Sequence, residues 1–165
     1  VPLFVRSQHH RHRTWSYNEI SRRYTSVDIE FYEPESFRTQ HKSNRQASTE
    51  DKINPDTNEF TNRPLPVRPY FASEAVKNHH ARSVSLYNTL LSKGVCREQA
   101  RGVLPQNLYT EYYATCNLNN LMKFISLRTH EGAQYEIRMV ADAMLKISAE
   151  IWPHAVGAYR ENLNG

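Results

Sequence analysis

Residues 11–24 read Arg11-His12-Arg13-Thr14-Trp15-Ser16-Tyr17-Asn18-Glu19-Ile20-Ser21-Arg22-Arg23-Tyr24. Three cationic or titratable side chains stand in a row, and Ser16, Asn18, Glu19, Ser21 and Arg23 follow within a few residues. Surface loops can be this polar, yet they seldom mix fixed Arg with Asn, Glu and Ser beside a Trp and two Tyr. The mixture suits a pocket for a planar, phosphorylated ligand. Arg forks grip phosphate bidentately, and amide, carboxylate and hydroxyl groups read a base or a sugar.

Upstream, Leu3, Phe4 and Val5 give an apolar start, and the expectation is an extended strand running into the motif. If 11–13 are extended, Arg11 and Arg13 share one face and His12 takes the other. Ser16 and Glu19 have capping-box spacing, so 16–23 are expected to form a short helical turn. Val27, Ile29 and Phe31 alternate as in a strand over 26–32, which Pro34 ends. From 35 to 69 the chain is rich in Asn, Asp, Pro, Ser and Thr, and a long polar surface excursion is expected.

Downstream, helical spacing dominates. Val76, His80, Val84, Tyr87 and Leu91 form an amphipathic stripe that stops at Gly94. A short helix is expected over 96–103, stopped by Pro105, and a Tyr- and Thr-rich strand over 107–116. Leu121, Phe124 and Ile125 mark a helix over 117–127. Ile137, Ala141, Met144 and Ile147 mark the inner face of a longer one over 133–151, and a final short helix follows Pro153. Strands near the start and middle, with helices grouped between and after them, point to an α+β fold. No G-x-G-x-x-G follows a strand, so a Rossmann nucleotide site is not supported.

A chain of 165 residues is most simply one domain, 1–165, long enough to bury a core. Its formal charge of +4 favours anionic partners. Cys96 and Cys116 make a poor disulfide framework, and a reducing, cytoplasmic compartment is expected. No apolar run approaches the ~20 residues that span a membrane, so no membrane role is expected. No His/Cys pair has ligand spacing either, and no metal is expected. The first residue is Val1, so the chain is expected to be processed, numbered from within a longer protein, or a fragment.

Each chemical residue has an ordinary explanation. Arg11, His12 and Arg13 alone would be a basic surface strand. His79 and His80 read as helix residues, with His80 partly packed on the apolar stripe. Glu98 and Arg101, three apart, would be an ion pair on one helical face. Arg128 would be a cation snorkelling at a helix end. Ser21 is the obvious nucleophile, but no His or Lys is placed as its base, so binding is its expected role.

The pattern R-H-R-x-x-S-x-N-E-x-S-x-R-Y over 11–24 resembles the signature of the flavin-dependent thymidylate synthases, with every fixed position filled. A second block, Gly94-Val-Cys-Arg-Glu-Gln-Ala-Arg-Gly-Val-Leu-Pro105, is similar to the family's G-x-x-x-E-x-A-R-x-x-L-P. A third runs from Thr115 to Arg138 and carries Asn117, Leu121, Phe124, Leu127, Arg128, Ala133, Gln134, Glu136 and Ile137. The resemblance implies an antiparallel sheet flanked by helices. It also implies conversion of dUMP to dTMP, with methylenetetrahydrofolate as carbon donor, reduced FAD as hydride source and NADPH as reductant.

It further implies that Gln8, Arg11, Glu19, Ser21, Arg22, Arg23, Arg101 and Arg128 contact dUMP. Arg128 is then the catalytic residue, favouring the ionised uracil. Arg11, His12, Arg13, Glu19, Asn117, Asn119 and Lys123 would contact FAD, and the active sites would form between subunits of a homotetramer. Three departures stand out: Asn119 where the family commonly has Arg, Lys123 in place of Asn or His, and Gly132 where many members have His. They imply either lineage variation or altered flavin affinity. Family members also carry a substantial segment before the signature, so the chain is expected to be part of a longer protein or to borrow that piece from another chain. The alternatives are a non-catalytic nucleotide-binding remnant or subunit and, far behind, a basic single-strand nucleic-acid module using Arg11, Arg13, Arg22, Arg23, Trp15 and Tyr17.

Overall fold

The computed structural model describes residues 1–21, 29–45, 47–58 and 69–163, with only the backbone of 162–163. In chain order the elements are α1 (Leu3–His9), β1 (Ser16–Glu19), β2 (Phe37–Gln40), β3 (Ser48–Ile53), α2 (Ala72–Ser92), α3 (Arg97–Ala100), β4 (Tyr112–Thr115), α4 (Leu118–Thr129), α5 (Tyr135–Ile151) and α6 (Pro153–Leu163). A 3-10 turn, Arg101–Val103, continues α3. The strands form two small antiparallel sheets, β1 with β4 and β2 with β3. The fold is α+β, as its element order predicts. The chain divides into two compact units, each with its own interior.

The first unit comprises Val1–Arg6, Glu19–Thr39 and Glu50–Tyr112. Its backbone is a ribbon in which 107–110 are gripped from both sides. Leu3 N–H donates to Leu108 O (2.9 Å) and Thr110 N–H to Val1 O (2.8 Å) on one side. On the other, Tyr109 N–H donates to Glu30 O (2.9 Å) and Tyr32 N–H to Asn107 O (2.9 Å). The same unit contains the expected long helix, α2. It buries His80, Ser83 and Tyr87, of which His80 and Tyr87 lie on the predicted stripe. Its start is held from a distance: Ser73 N–H donates to Asn54 Oδ1 (3.0 Å), and Asn54 Nδ2 to Ser73 Oγ (2.9 Å). At its end Gly94 takes φ 87°, with Val95 N–H donating to Leu90 O (3.0 Å) and Gly94 N–H to Leu91 O (3.0 Å). These are the two bonds of a glycine-terminated helix.

Ser7–Asn18, Gln40–Thr49 and Tyr113–Gly165 make up the second unit. Here α4, α5 and α6 pack in sequence. Phe124, Ile125, Ile137, Ala141 and Val156 are buried among them. Asn117 caps α4, its side chain accepting from Asn120 N–H (2.9 Å). Tyr159 Oη reaches back from α6 to Met122 O (3.0 Å).

Four local expectations are corrected. Residues 3–9 are a helix, not a strand, because α1 sets its first turn on Pro2, whose carbonyl accepts from Val5 and Arg6 N–H. Residues 16–19 are a strand, not a helical turn, because they pair with β4. The polar stretch after 35 is not all loop: β2 and β3 pair within it. On α5 the inner face runs through Ile137, Ala141 and Ser148, leaving Ile147 56% exposed. Of the strand expected over 26–32, residues 26–28 lie outside the described residues; among the rest, Phe31 forms an isolated bridge to Leu108.

Candidate functional site

In the first unit the gripped ribbon, the end of β1 and the α3 turn surround a cleft of about 510 Å³. That volume suits a small organic ligand. Glu19, Ser21 and Arg101 line it, with Arg6, Glu98, Tyr109 and Thr110 among their neighbours. Glu98 and Arg101, whose spacing predicts one helical face, sit one turn apart across the α3/3-10 junction, and both line the cleft. Glu19 is the best-anchored of the group. Its Oε1 accepts from Thr110 Oγ1 (2.8 Å) and lies 3.4 Å from Arg6 Nε. Two guanidinium groups, two carboxylates and several hydroxyls therefore converge on one concavity. Such a lining can bind an anionic group at one end and donors such as sugar hydroxyls at the other.

A second cluster forms in the second unit around Arg128, in the last turn of α4. Its Nε donates to His12 Nε2 (3.2 Å) and its Nη2 to Gln8 O (3.3 Å). Because His12 Nε2 accepts, His12 is neutral in this arrangement. Burial first, and the Arg128 charge second, hold its pKa below the usual value. Burial, then Arg11, draw the Arg128 pKa down as well. The Gln8 side chain bonds the Gln134 side-chain oxygen, and Gln134 Nε2 donates to Glu136 Oε2 (2.9 Å). Beneath this polar layer lies a box of rings. His9 is 1% exposed, with ring centroids 4.5 Å from Trp15, 4.6 Å from Phe124 and 5.3 Å from Tyr17. Burial, followed by the charges of His12, His10 and Arg128, lowers the His9 pKa to about 4. Tyr17 is pushed up to about 12, mainly by burial.

The expected site residues thus separate into groups. Glu19, Ser21 and Arg101 share the cleft. Gln8, Arg11, His12 and Arg128 gather around the α4 end. Arg13, Asn119 and Lys123 belong to the second unit, where Arg13 and Lys123 are exposed, and Asn117 is occupied as the α4 cap. Arg22 and Arg23 lie outside the described residues. The Gly132 departure is filled locally: His130 Nδ1 accepts from Gly132 N–H (3.0 Å). Sequence reasoning missed Arg6, Thr110 and Tyr109. Nothing in a single sequence marks them, because the backbone pairing of the ribbon is what brings them to the cleft.

Comparison with known proteins gives this geometry a context. The sequence model of the family described as thymidylate synthase complementing protein matches residues 1–154. The flavin-dependent thymidylate synthase of Thermus thermophilus is 43% identical over 163 residues, covering 99% of this chain and 55% of its own length. That of Aquifex aeolicus is 42% identical over 144 residues, 87% of this chain and 41% of its own. The chain spans about half the length of the curated relatives it matches. Among solved structures, the UMP/dUMP methylase PolB from Streptomyces cacaoi bound with 5-Br UMP superposes with a TM-score of 0.77 at 32% identity, covering 97% of this chain and 70% of that one.

Proposed function

The chain belongs to the thymidylate synthase complementing protein family, and from that premise we propose that it serves as a flavin-dependent thymidylate synthase, converting dUMP to dTMP with methylenetetrahydrofolate as carbon donor, reduced FAD as hydride source and NADPH as reductant. The observation that carries this reading is the convergence of Glu19, Ser21 and Arg101, from segments far apart in sequence, on one cleft. The 5-Br UMP complex of the similar methylase supports a uridine nucleotide as the ligand.

In this reading Arg101 holds the nucleotide phosphate, while Ser21 and Glu19 take its sugar and base. Gln8, Arg11, Arg22 and Arg23 complete the contacts to dUMP. Arg128 is the catalytic cation. A guanidinium remains charged throughout the working pH range. Half-buried, its field is less screened than in water, and negative charge developing on the uracil is stabilised beside it. The braces from His12 and Gln8 hold the fork in place, so little reorganisation is needed when that charge appears.

The residues on the second unit fit the flavin by their donor chemistry. Arg11, Arg13 and Lys123 are exposed cations and Asn119 supplies an amide, a set suited to a dinucleotide's diphosphate. Asn117 uses its side-chain oxygen in the α4 cap, which leaves its amide nitrogen as the donor for the same purpose. His12 completes this set, with Glu19 as a further contact. The protein as a whole acts as one synthase domain over 1–165 and self-associates as a homotetramer. Its setting is reducing and cytoplasmic, consistent with the free thiols of Cys96 and Cys116. Among the described residues no helix is long and apolar enough to cross a membrane.

The test is direct. The purified chain is supplied with FAD, NADPH, methylenetetrahydrofolate and dUMP, and dTMP is measured by chromatography. Formation of dTMP that requires all four supports the reading, and its absence with the full set rejects it for this chain. Light scattering in the same buffer should give four times the 19.3 kDa chain mass.

A further inference from the structure

Glu19 is anchored through one of its two oxygens. Oε1 receives the Thr110 hydroxyl at 2.8 Å and faces Arg6 Nε at 3.4 Å. Oε2 has no partner among the described residues. The anchors differ in kind. Thr110 is 6% exposed and its backbone is bolted to Val1. Arg6 rides on α1, whose first turn is fixed on Pro2, and its Nε is buried without a hydrogen bond of its own. Neither Arg6 nor Thr110 belongs to the signature, yet both line the cleft.

A carboxylate side chain with a free χ would lose rotamer entropy on meeting a ligand. One oxygen locked by a buried hydroxyl and a neighbouring cation removes most of that loss before the ligand arrives. We infer that Arg6 and Thr110 are positioning residues, which together pin Glu19 Oε1 so that Oε2 is presented to the sugar hydroxyl of the bound nucleotide. The inference rests on the reading of the cleft as the uridine nucleotide site. It assigns Arg6 a role distinct from that of Arg101: its charge serves Glu19, not the phosphate.

The distinction can be measured with two nucleotides, dUMP and 2′,3′-dideoxyuridine monophosphate, which keeps the phosphate and base but lacks the sugar hydroxyl. Calorimetric titration of the full chain is compared with that of Arg6→Met, which keeps an apolar stem, and Thr110→Val, which keeps the shape. Each substitution is expected to weaken dUMP by about tenfold and to leave the dideoxy nucleotide unchanged, while Arg6→Lys restores part of the loss. Equal weakening of both nucleotides by Arg6→Met, in a protein with an unchanged circular dichroism spectrum, would place Arg6 on the phosphate and overturn the inference. So would unaltered dUMP affinity in both variants. If the unsubstituted chain binds neither nucleotide, the reading of the cleft fails along with it.

Discussion

Arg128 makes its two braces with groups that cannot follow it if it is removed, a histidine ring and a backbone carbonyl. Replacing it with Ala is expected to lower dTMP formation at least ~100-fold while the protein still retains added flavin, because the proposed flavin contacts lie on other residues. Turnover at the parental rate would remove Arg128 from the mechanism. His9 yields a prediction of a different kind. With a folded pKa of about 4 against an ordinary 6.5, the unfolded chain binds the proton first as pH falls. Stability from this residue is therefore complete above pH 6.5, declines as pH drops toward 4, and declines no further below that. The total is on the order of 3 kcal/mol. His12, shifted the same way, adds to the slope. His9→Phe, which keeps a ring against Trp15 and Phe124, should flatten the melting temperature across that window, and an unchanged slope would deny His9 this part. At this scale the sequence is legible where chemistry is written in a motif. Glu19, Ser21, Arg101 and Arg128 are each expected at a site. Arg6 and Thr110 are invisible because their significance is a tertiary contact, and beside His10 and His12 the His9 ring suggests at most a metal ligand, not a place in a ring box.

The helices are legible for a simple reason: α2, α4 and α5 each bury one stripe, and a stripe repeats every 3.6 residues. The errors fall where that repeat is too short to see. Leu3–His9 spans 7 residues, of which only Leu3, Phe4 and Val5 are apolar, and so short an apolar run fits a helix or a buried strand equally well. Ser16 to Glu19 illustrates the same ambiguity, since three-residue spacing means a capping box only when the backbone turns, and pairing with β4 keeps it extended. Ile147 lies one position off the true inner face, because Ser148 occupies the inward place and turns its hydroxyl onto Met144 O (2.7 Å). The end of α2 offers a clean test of element energetics. Gly94 holds φ 87°, and a Cβ there would meet no atom within 4 Å. Gly94→Ala therefore carries only the left-handed backbone penalty, about 1 kcal/mol. A drop of roughly 2–4 °C in melting temperature is expected for a chain of this size. No change would mean that the helix end simply re-forms without the motif.

For the whole molecule the first experiment is optical. The purified chain is mixed with FAD, freed of excess and examined in the visible. A retained flavin band that bleaches with NADPH and recovers on addition of dUMP and methylenetetrahydrofolate is expected. A colourless protein would mean that the contacts proposed for Arg11, Arg13 and Lys123 do not suffice to hold it. Fold class is legible at this scale from the order of elements, but the division into two units is not. That division is made by segments returning from distant parts of the chain: 1–6 and 50–112 in one, 7–18 and 113–165 in the other.

Both tryptophans of the protein fall in the second unit, and their surroundings are opposite. Trp15, at 8% exposure, stands in the ring box against His9 and Phe124, whereas Trp152, at 45%, stands beside the α5–α6 junction in open solvent. A dissolved quencher such as acrylamide reaches Trp152 and spares Trp15. The emission that survives quenching then comes from the packing beneath Arg128 alone. The chain carries a built-in, label-free fluorophore whose brightness reports whether the floor beneath Arg128 is still sealed.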